Sequence, residues 1–340
     1  MKTIEATYRI VTPMFIGGGR RRPDDGVRPP SFKGALRFWW RALNWPRLRH
    51  EEGDDACALR RLHAEEADLF GAAAKSRDGR QAGGQSRILI RVKKQPSLQP
   101  IEDRWPNPHT QRGEESKSGY LGLGLFPMGE HRRRQGIREN QQFVVALAFK
   151  RGTSEKDVES IRDALLAIGI FGGLGSRNRK GFGSVAIERI DEESHVCSSC
   201  EEYVEKCRQV LQGGSAPFPP FTALNNKLRL GVINQLFPSA RDAHSALARR
   251  YLAVRGQGGV VRGEDKLAFG LPLKDYEEDP NIRRASPLFM HIHPVSGKYL
   301  ASCLYLPSVF HPNYPQGNEL AFFHGVEVFM DKLDTVGVES

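Results

Sequence analysis

The sequence is short of cysteine, of early histidine and of long apolar runs, and each shortage removes a class of protein. Five cysteines in 340 residues, Cys57, Cys197, Cys200, Cys207 and Cys303, form an odd and sparse set. Such a set does not staple a secreted domain, so a reducing compartment is expected and the chain is placed in the cytoplasm. The opening stretch, MKTIEATYRIVTPMF, puts Glu5 and Arg9 where a signal peptide needs an apolar core. The longest nearly apolar run, Ala164 to Gly175, is broken by four glycines. It falls short of the roughly 20 residues that span a bilayer, and no membrane partner is expected. No histidine precedes His50, so the front of the chain lacks the side chain best suited to proton transfer at neutral pH.

Negative charge is scarce too. Lysine and arginine number 50 against 40 aspartates and glutamates, a net charge of +10 and a pI near 9.5. The excess is uneven, because residues 17 to 49 hold nine basic side chains and two acidic ones. A basic excess concentrated on one stretch is the footprint of a polyanion partner, since neutralising phosphates releases their counterions. A solvated surface is the plainer reading of the same run.

At roughly 100 to 200 residues per domain, the length suggests two. Residues 3 to 11 alternate as a half-buried strand, with Ile4, Ala6, Tyr8 and Ile10 on one side. A helix follows over PPSFKGALRFWWRALNWP (29–46), with Ser31 as its expected N-cap and Pro46 as its stop. A second helical stretch spans about Ala56 to Phe70, a strand SRILIRVKK comes next, and residues 95 to 119 read as a polar insertion. QQFVVALAF (141–149) is a strand suited to the middle of a sheet, and SEKD has the form of a capping box opening a helix. SVAIERI closes a β-α-β-β-α-β order, the pattern of a ferredoxin-like unit over residues 1–190. Residues 191–219 read as a helical linker. Residues 220–340, with a helix opened by SARD and a late hairpin turning at Val295-Ser296-Gly297, suggest a second, divergent unit of the same kind. The fold class expected is α+β, two ferredoxin-like domains in tandem.

Two stretches carry chemistry. On a helix at about 100° per residue, Phe32, Leu36, Trp39 and Leu43 share one face, while Lys33, Arg37 and Arg41 form a separate stripe that Trp40 borders. The stripe reads as a rail for phosphates, or as side chains paired with acidic neighbours at a seam. The second stretch is GGLGSRNRKGFG. It is not a Walker A loop, because Lys180 precedes its glycine and the chain here leaves a helix C-terminus rather than entering an N-terminus. Attraction of an anion therefore falls to Arg177, Arg179, Lys180 and loop N–H groups, with Gly173, Gly175, Gly181 and Gly183 permitting close backbone approach. A helix terminator alone would need one glycine.

Glycine-hydrophobic-glycine, five residues, glycine-hydrophobic-glycine resembles the loop of the RAMP superfamily, the RRM-like RNA-binding proteins of CRISPR-Cas effector complexes. TPMFIGG, RPPSFKGALRFWWRAL, DLFGAA and the late RRASPLF are similar, within that family, to the first RAMP subunits of type III-B (Cmr) complexes. The resemblance implies two RAMP domains in a ribonucleoprotein that destroys complementary RNA. It implies a place near the 3′ end of the guide, contact with crRNA, help in capturing single-stranded target RNA, and other Cmr-complex subunits as protein partners. Carried over residue by residue, it marks Lys33, Arg37, Arg41, the preceding Arg20, Arg21 and Arg22, the loop residues Gly173 to Gly183, and Arg283 and Arg284 as RNA contacts.

No catalytic residue, metal site or cofactor is assigned. RAMP nucleases that trim guide precursors use an early histidine, which this chain lacks, whereas target-cleaving RAMP subunits carry an acidic residue in the loop after the first strand, a place taken by Asp24 and Asp25. A metal-dependent ribonuclease is therefore the alternative reading, although Asp-Gly is also ordinary turn chemistry. A protein-docking adaptor built on the tryptophan-rich helix is a further one. His195, Cys197, Cys200 and Cys207 have irregular spacing for zinc.

Overall fold

The computed structural model describes residues 2–17, 23–72, 84–101, 105–106, 115–125, 134–213, 216–271, 283–309 and 323–336. Arg20, Arg21 and Arg22 lie outside these described residues.

The alternating segment is β1 (Thr3–Ile10), with Ile4, Ala6, Tyr8 and Ile10 buried. It lies antiparallel between β3 (Gln142–Phe149) and β4 (Val185–Ile190), Thr3 opposite Ala148 and Ile10 opposite Val185. With β2 (Ile88–Lys94) on the far side of β3 and a short β5 (Glu193–Ser194) beyond β4, the order is β2-β3-β1-β4-β5. The second sheet contains β6 (Arg229–Val232), β7 (Leu288–Val295), β8 (Lys298–Tyr305) and β9 (Asp334–Val336), in the order β7-β8-β6-β9. In both, the first and third strands of the unit are central, the second flanks the third, and the fourth flanks the first. That is the βαββαβ arrangement, twice. The repeat is faint in residue identities and explicit in topology.

The tryptophan-rich helix departs from expectation at both ends. α1 runs Pro29–Glu52, with Arg28 rather than Ser31 at its N-cap. Pro29 and Pro30 occupy the first helical positions, where a missing N–H is no loss. Pro46 lies inside the helix instead of ending it. A proline deprives the carbonyl four residues earlier of its helical donor. Here that carbonyl, Ala42 O, accepts from Leu224 N at 3.1 Å, so the chain leading into β6 replaces the lost bond.

α2 (Asp55–Phe70) turns back along α1, and α4 (Glu155–Phe171) is opened by the expected capping box, Asp157 N donating to Ser154 Oγ at 3.1 Å. Trp40 is 2% exposed. Its Nε1 donates to Ser160 Oγ at 2.9 Å and its ring meets Phe70 edge-on, so it seals the contact between α1 and its neighbours.

The segment read as a linker is packed. It carries α5 (Cys200–Leu211), whose Tyr203, Cys207 and Leu211, spaced at i, i+4 and i+8, are all buried. Tyr203 OH donates to Ile170 O at 3.1 Å and lies 2.7 Å from Ser302 Oγ, tying α4 to the second sheet. Part of the polar insertion is packed as well. α3 (Glu115–Leu121) lies on α6 (Ala240–Arg255), and Trp105, 4% exposed, sits against Phe182 and His244. The second unit is completed by α7 (His324–Met330).

Candidate nucleic-acid interface

The α1 stripe faces α2. Lys33 Nζ donates to Phe70 O at 2.7 Å, so its charge sits at the negative end of α2. Burial and the neighbouring Arg37 lower its pKa. Arg37 Nε and Arg41 Nη1 both reach Glu66 Oε1, at 2.7 and 3.2 Å, and Glu66 is 6% exposed. Three cations thus share one carboxylate and one helix terminus. The two guanidinium side chains remain 40% and 37% exposed, able to offer their other N–H groups outward.

The glycine-rich loop leaves α4 and folds tightly on itself. Leu174 N donates to Gly183 O at 2.9 Å, and the loop then docks on the segment after β1 through Ser176 N to Phe15 O and Gly183 N to Pro13 O, both 2.9 Å. A Cβ on Gly175, at φ +90°, would lie 2.7 Å from Phe15 O, and one on Gly183, at φ +61°, would collide with the Leu174 carbonyl. These two glycines serve approach of the chain to itself, where close approach of a ligand was one expectation.

The second sheet fixes the loop from the other side. Met290 N donates to Arg179 O at 3.2 Å and Ile292 N to Ser184 Oγ at 3.3 Å. His291 Nδ1 lies 2.9 Å from Gly172 O, a carbonyl that can only accept, so Nδ1 carries the proton. Its Nε2 is then the acceptor facing His293 Nδ1 at 3.3 Å. His244 Nε2 likewise donates to Lys180 O at 2.9 Å.

The three loop cations meet neutral partners. Arg177 is exposed, with its guanidinium on the Leu123 carbonyl. Arg179 is sandwiched, its guanidinium carbon 5.1 Å from the Phe38 ring centroid and 4.4 Å from that of Phe289, while Nη1 donates to Ser286 O at 2.5 Å. Burial, then nearby Arg284, lowers it to about 10, still charged at neutral pH. Lys180 Nζ donates to Tyr251 OH at 2.9 Å and sits 4.3 Å from that ring's centroid. Burial first, and Arg255 next, push it down to about 7. Among the described residues none of the three pairs with a carboxylate.

Between the first turns of α1 and this loop lies a cavity of about 330 Å³, lined by Ser31, Gly34, Phe38, Gly173, Gly175 and Arg179 among others. Gly34 is not among the residues that the sequence marks as RNA contacts. It is exposed, and a Cβ there would meet nothing within 4 Å. A glycine inside a helix costs roughly 0.5–1 kcal/mol relative to alanine, and nothing among the described residues requires it here. Its signal in the sequence was a glycine in the first two turns of an otherwise well-formed helix.

The remaining expected residues do not converge on this cavity. Arg283 is exposed, while Arg284 Nη2 donates to Ser308 Oγ at 3.0 Å and its guanidinium lies 5.3 Å from the Phe323 centroid. Asp24 and Asp25 are exposed on a 3-10 turn, Pro23–Asp25. Among the described residues no three histidine, cysteine or acidic side chains are grouped to hold a metal ion. No helix among them is long and apolar enough to cross a membrane.

Two ferredoxin-like sheets clasping a glycine-rich loop, whose arginines and lysine meet neutral groups among the described residues, define a protein of the tandem RRM-like class. This chain belongs to the RAMP superfamily, whose family model matches residues 7–186. The CRISPR system Cmr subunit Cmr1-1 of Pyrococcus furiosus is 26% identical over 314 residues, covering 84% of this chain and 82% of that relative. The crystal structure of apo Cmr1 from the same organism superposes with a TM-score of 0.63 at 21% identity, covering 99% of each chain. A chain in the cryo-EM structure of the type III-B Cmr-beta bound to cognate target RNA gives 0.57 at 12% identity, covering 96% of this chain and 99% of that one. These structural likenesses show the fold.

Proposed function

We propose that this chain is a noncatalytic RNA-binding subunit of a type III-B CRISPR RNA-guided effector complex, contacting crRNA near its 3′ end and helping to capture single-stranded target RNA beside other Cmr subunits. Residues 1–190 and 220–340 act as its two RAMP domains, joined through 191–219. The supporting observation is the cavity at Gly34, where the helix gives up a side chain that no neighbour among the described residues displaces, next to Arg179, whose charge meets no carboxylate among them. A phosphodiester backbone passing over the first two turns of α1 uses that space. Its phosphates take the charge, which gives affinity without sequence preference.

Gly34→Leu tests the reading. Leucine fits the open space and favours the helix, so thermal unfolding is expected to hold or rise. Binding of labelled single-stranded RNA, read by fluorescence anisotropy at fixed salt, is expected to weaken about tenfold or more. A folded Gly34→Leu chain that binds RNA as tightly as the parent would overturn the assignment of this surface. Incubating the chain with labelled RNA and Mg²⁺, beside an Asp24→Ala, Asp25→Ala double variant, tests the noncatalytic part. Cleavage by the parent and none by the variant would replace this reading with that of a ribonuclease.

A further inference from the structure

Away from the glycine-rich loop, a cavity of about 400 Å³ is bordered by α4, α5, β4, β5 and β7. None of the described residues marked as RNA contacts lines it. Leu43, Leu166, Ile170, Ile187 and Val210 give it apolar walls, and Asp163 and Glu193 stand exposed at its rim. Lys206 is the cation that lines it among the described residues, and its ammonium is fully engaged. Nζ donates to His195 O at 3.1 Å and Val196 O at 3.3 Å, and lies 2.9 Å from Glu202 Oε1.

Two buried imidazoles also line the cavity, each with an unmatched nitrogen. His293 is 2% exposed, and its Nδ1 faces the acceptor His291 Nε2 at 3.3 Å. Nδ1 therefore carries the proton, and Nε2 is an acceptor to which no described residue donates. Burial first and His291 next keep this histidine well below its ordinary pKa, so it is neutral. His195 is 9% exposed, and its Nε2 is buried without a hydrogen-bond partner, 3.8 Å from Glu193 Oε2. Among the described residues no hydrogen bond or ion pair reaches the Asp163 carboxyl. Partial desolvation, then Glu159, raise its pKa against the pull of Arg162.

Buried polar atoms left without partners are costly, and a ligand bearing donors removes that cost. The unmatched groups are spread through the cavity, because among the described residues no three histidine, cysteine or acidic side chains are grouped to hold a metal ion. An extended molecule reaches them where a point charge does not. An acidic rim on a chain of net charge +10 selects a cation, and aliphatic walls select a slim apolar body. The volume lies within the roughly 300–1,000 Å³ of small-molecule sites.

We propose that this cavity binds a free aliphatic diamine, one ammonium group at the rim between Asp163 and Glu193, the methylene chain along Leu166, Ile187 and Val210, and the second amino group donating to His293 Nε2.

Isothermal titration of the full chain at fixed salt with 1,4-diaminobutane, n-butylamine and 1,4-butanediol tests it. The diamine is expected to bind at least about tenfold more tightly than either of the others, because only it offers charged donors at both ends. Asp163→Asn with Glu193→Gln, two changes at exposed positions, should bring the diamine level with the monoamine. Glu201→Gln, an exposed carboxylate on α5 outside the cavity, should leave the preference intact. Ring 15N resonances of His293 should shift on binding, and those of His244, which does not line the cavity, should not. Butanediol or butylamine binding as tightly as the diamine would overturn the site. So would an undiminished preference in the folded double variant, or shifts at His244 with none at His293. An equal loss in Glu201→Gln would reduce the effect to general attraction of amines by surface acid and overturn it as well.

Discussion

Two basic regions meet near the junction of the sheets, and they hold their charge in opposite ways. Lys33, Arg37 and Arg41 on α1 are answered by Glu66 and by the C-terminal carbonyl of α2. Arg177, Arg179 and Lys180 on the glycine-rich loop are answered by carbonyls, a phenol and aromatic faces. Neutral acceptors position a cation without cancelling it, while a buried carboxylate cancels as it positions. The number of cations in each stretch is the same. What differs is the charge left for a partner, and under the proposed reading that makes the loop the stronger candidate.

Acid should separate the two regions with the largest effect. His244 underpins the loop, its Nε2 donating to Lys180 O and its Nδ1 facing Ser118 Oγ at 2.9 Å, with the Phe182 ring tilted against it at 4.6 Å between centroids. Burial pushes His244 down to about 4 from an ordinary 6.5. The unfolded chain therefore takes up a proton that the folded chain refuses. Stability from this residue is complete above about 6.5 and is lost as pH falls toward 4. The buried His291, also lowered to about 4, adds to the same loss. Urea unfolding at pH 7 and pH 5 is expected to show a drop of a few kcal/mol, on the scale of about 1.4 kcal/mol per pKa unit of displacement. Hydrogen exchange should show residues 173–183 opening before the α1–α2 contact. Equal protection of both regions at pH 5 would contradict a loop hung on neutral histidine.

Charge removal comes next. Arg177→Ala with Arg179→Ala is expected to weaken binding of single-stranded RNA by about tenfold to a hundredfold, and to flatten the dependence of log affinity on log salt by about 1.4, since each phosphate contact contributes roughly 0.7 on single strands. Arg37→Ala with Arg41→Ala should cost only a few-fold, because Glu66 already holds part of that charge. Filter binding across a salt series measures both slopes. Equal losses from the two double variants would erase the distinction between the regions.

Which of these features the sequence makes legible follows from their range. The alternation of β1, the capping box at Ser154 and the turn at Ser296-Gly297 are set by neighbouring residues, and all are found in the fold. Pro46 misleads because its rescue comes from Leu224, far away along the chain. The packed face of α5 is hidden by its acidic surroundings, though Tyr203, Cys207 and Leu211 carry helical spacing. The basic stripe of α1 is legible as a stripe, but its partner is not. Glu66 lies 29 residues beyond Arg37, and only the turn between α1 and α2 brings them together. Arg255 and Tyr120, 135 residues apart, are joined in the same way, by packing of α3 on α6.

The smallest effect sharpens the comparison most directly. Glu66→Gln keeps the shape of the side chain and an acceptor for Arg37, but it removes the charge that sets the α1 stripe apart from the loop. Because Arg37 and Arg41 are more than a third exposed, water takes over much of what the carboxylate supplied, and the loss of stability should be no more than about 1 kcal/mol. Binding of single-stranded RNA should then rise, by about two- to fourfold at low salt, with the gain fading as salt screens the freed guanidinium groups. Anisotropy titrations at two salt concentrations read both the gain and its decay. If affinity instead falls, Glu66 is orienting Arg37 and Arg41 toward RNA, and the stripe belongs with the loop as a binding surface despite its carboxylate.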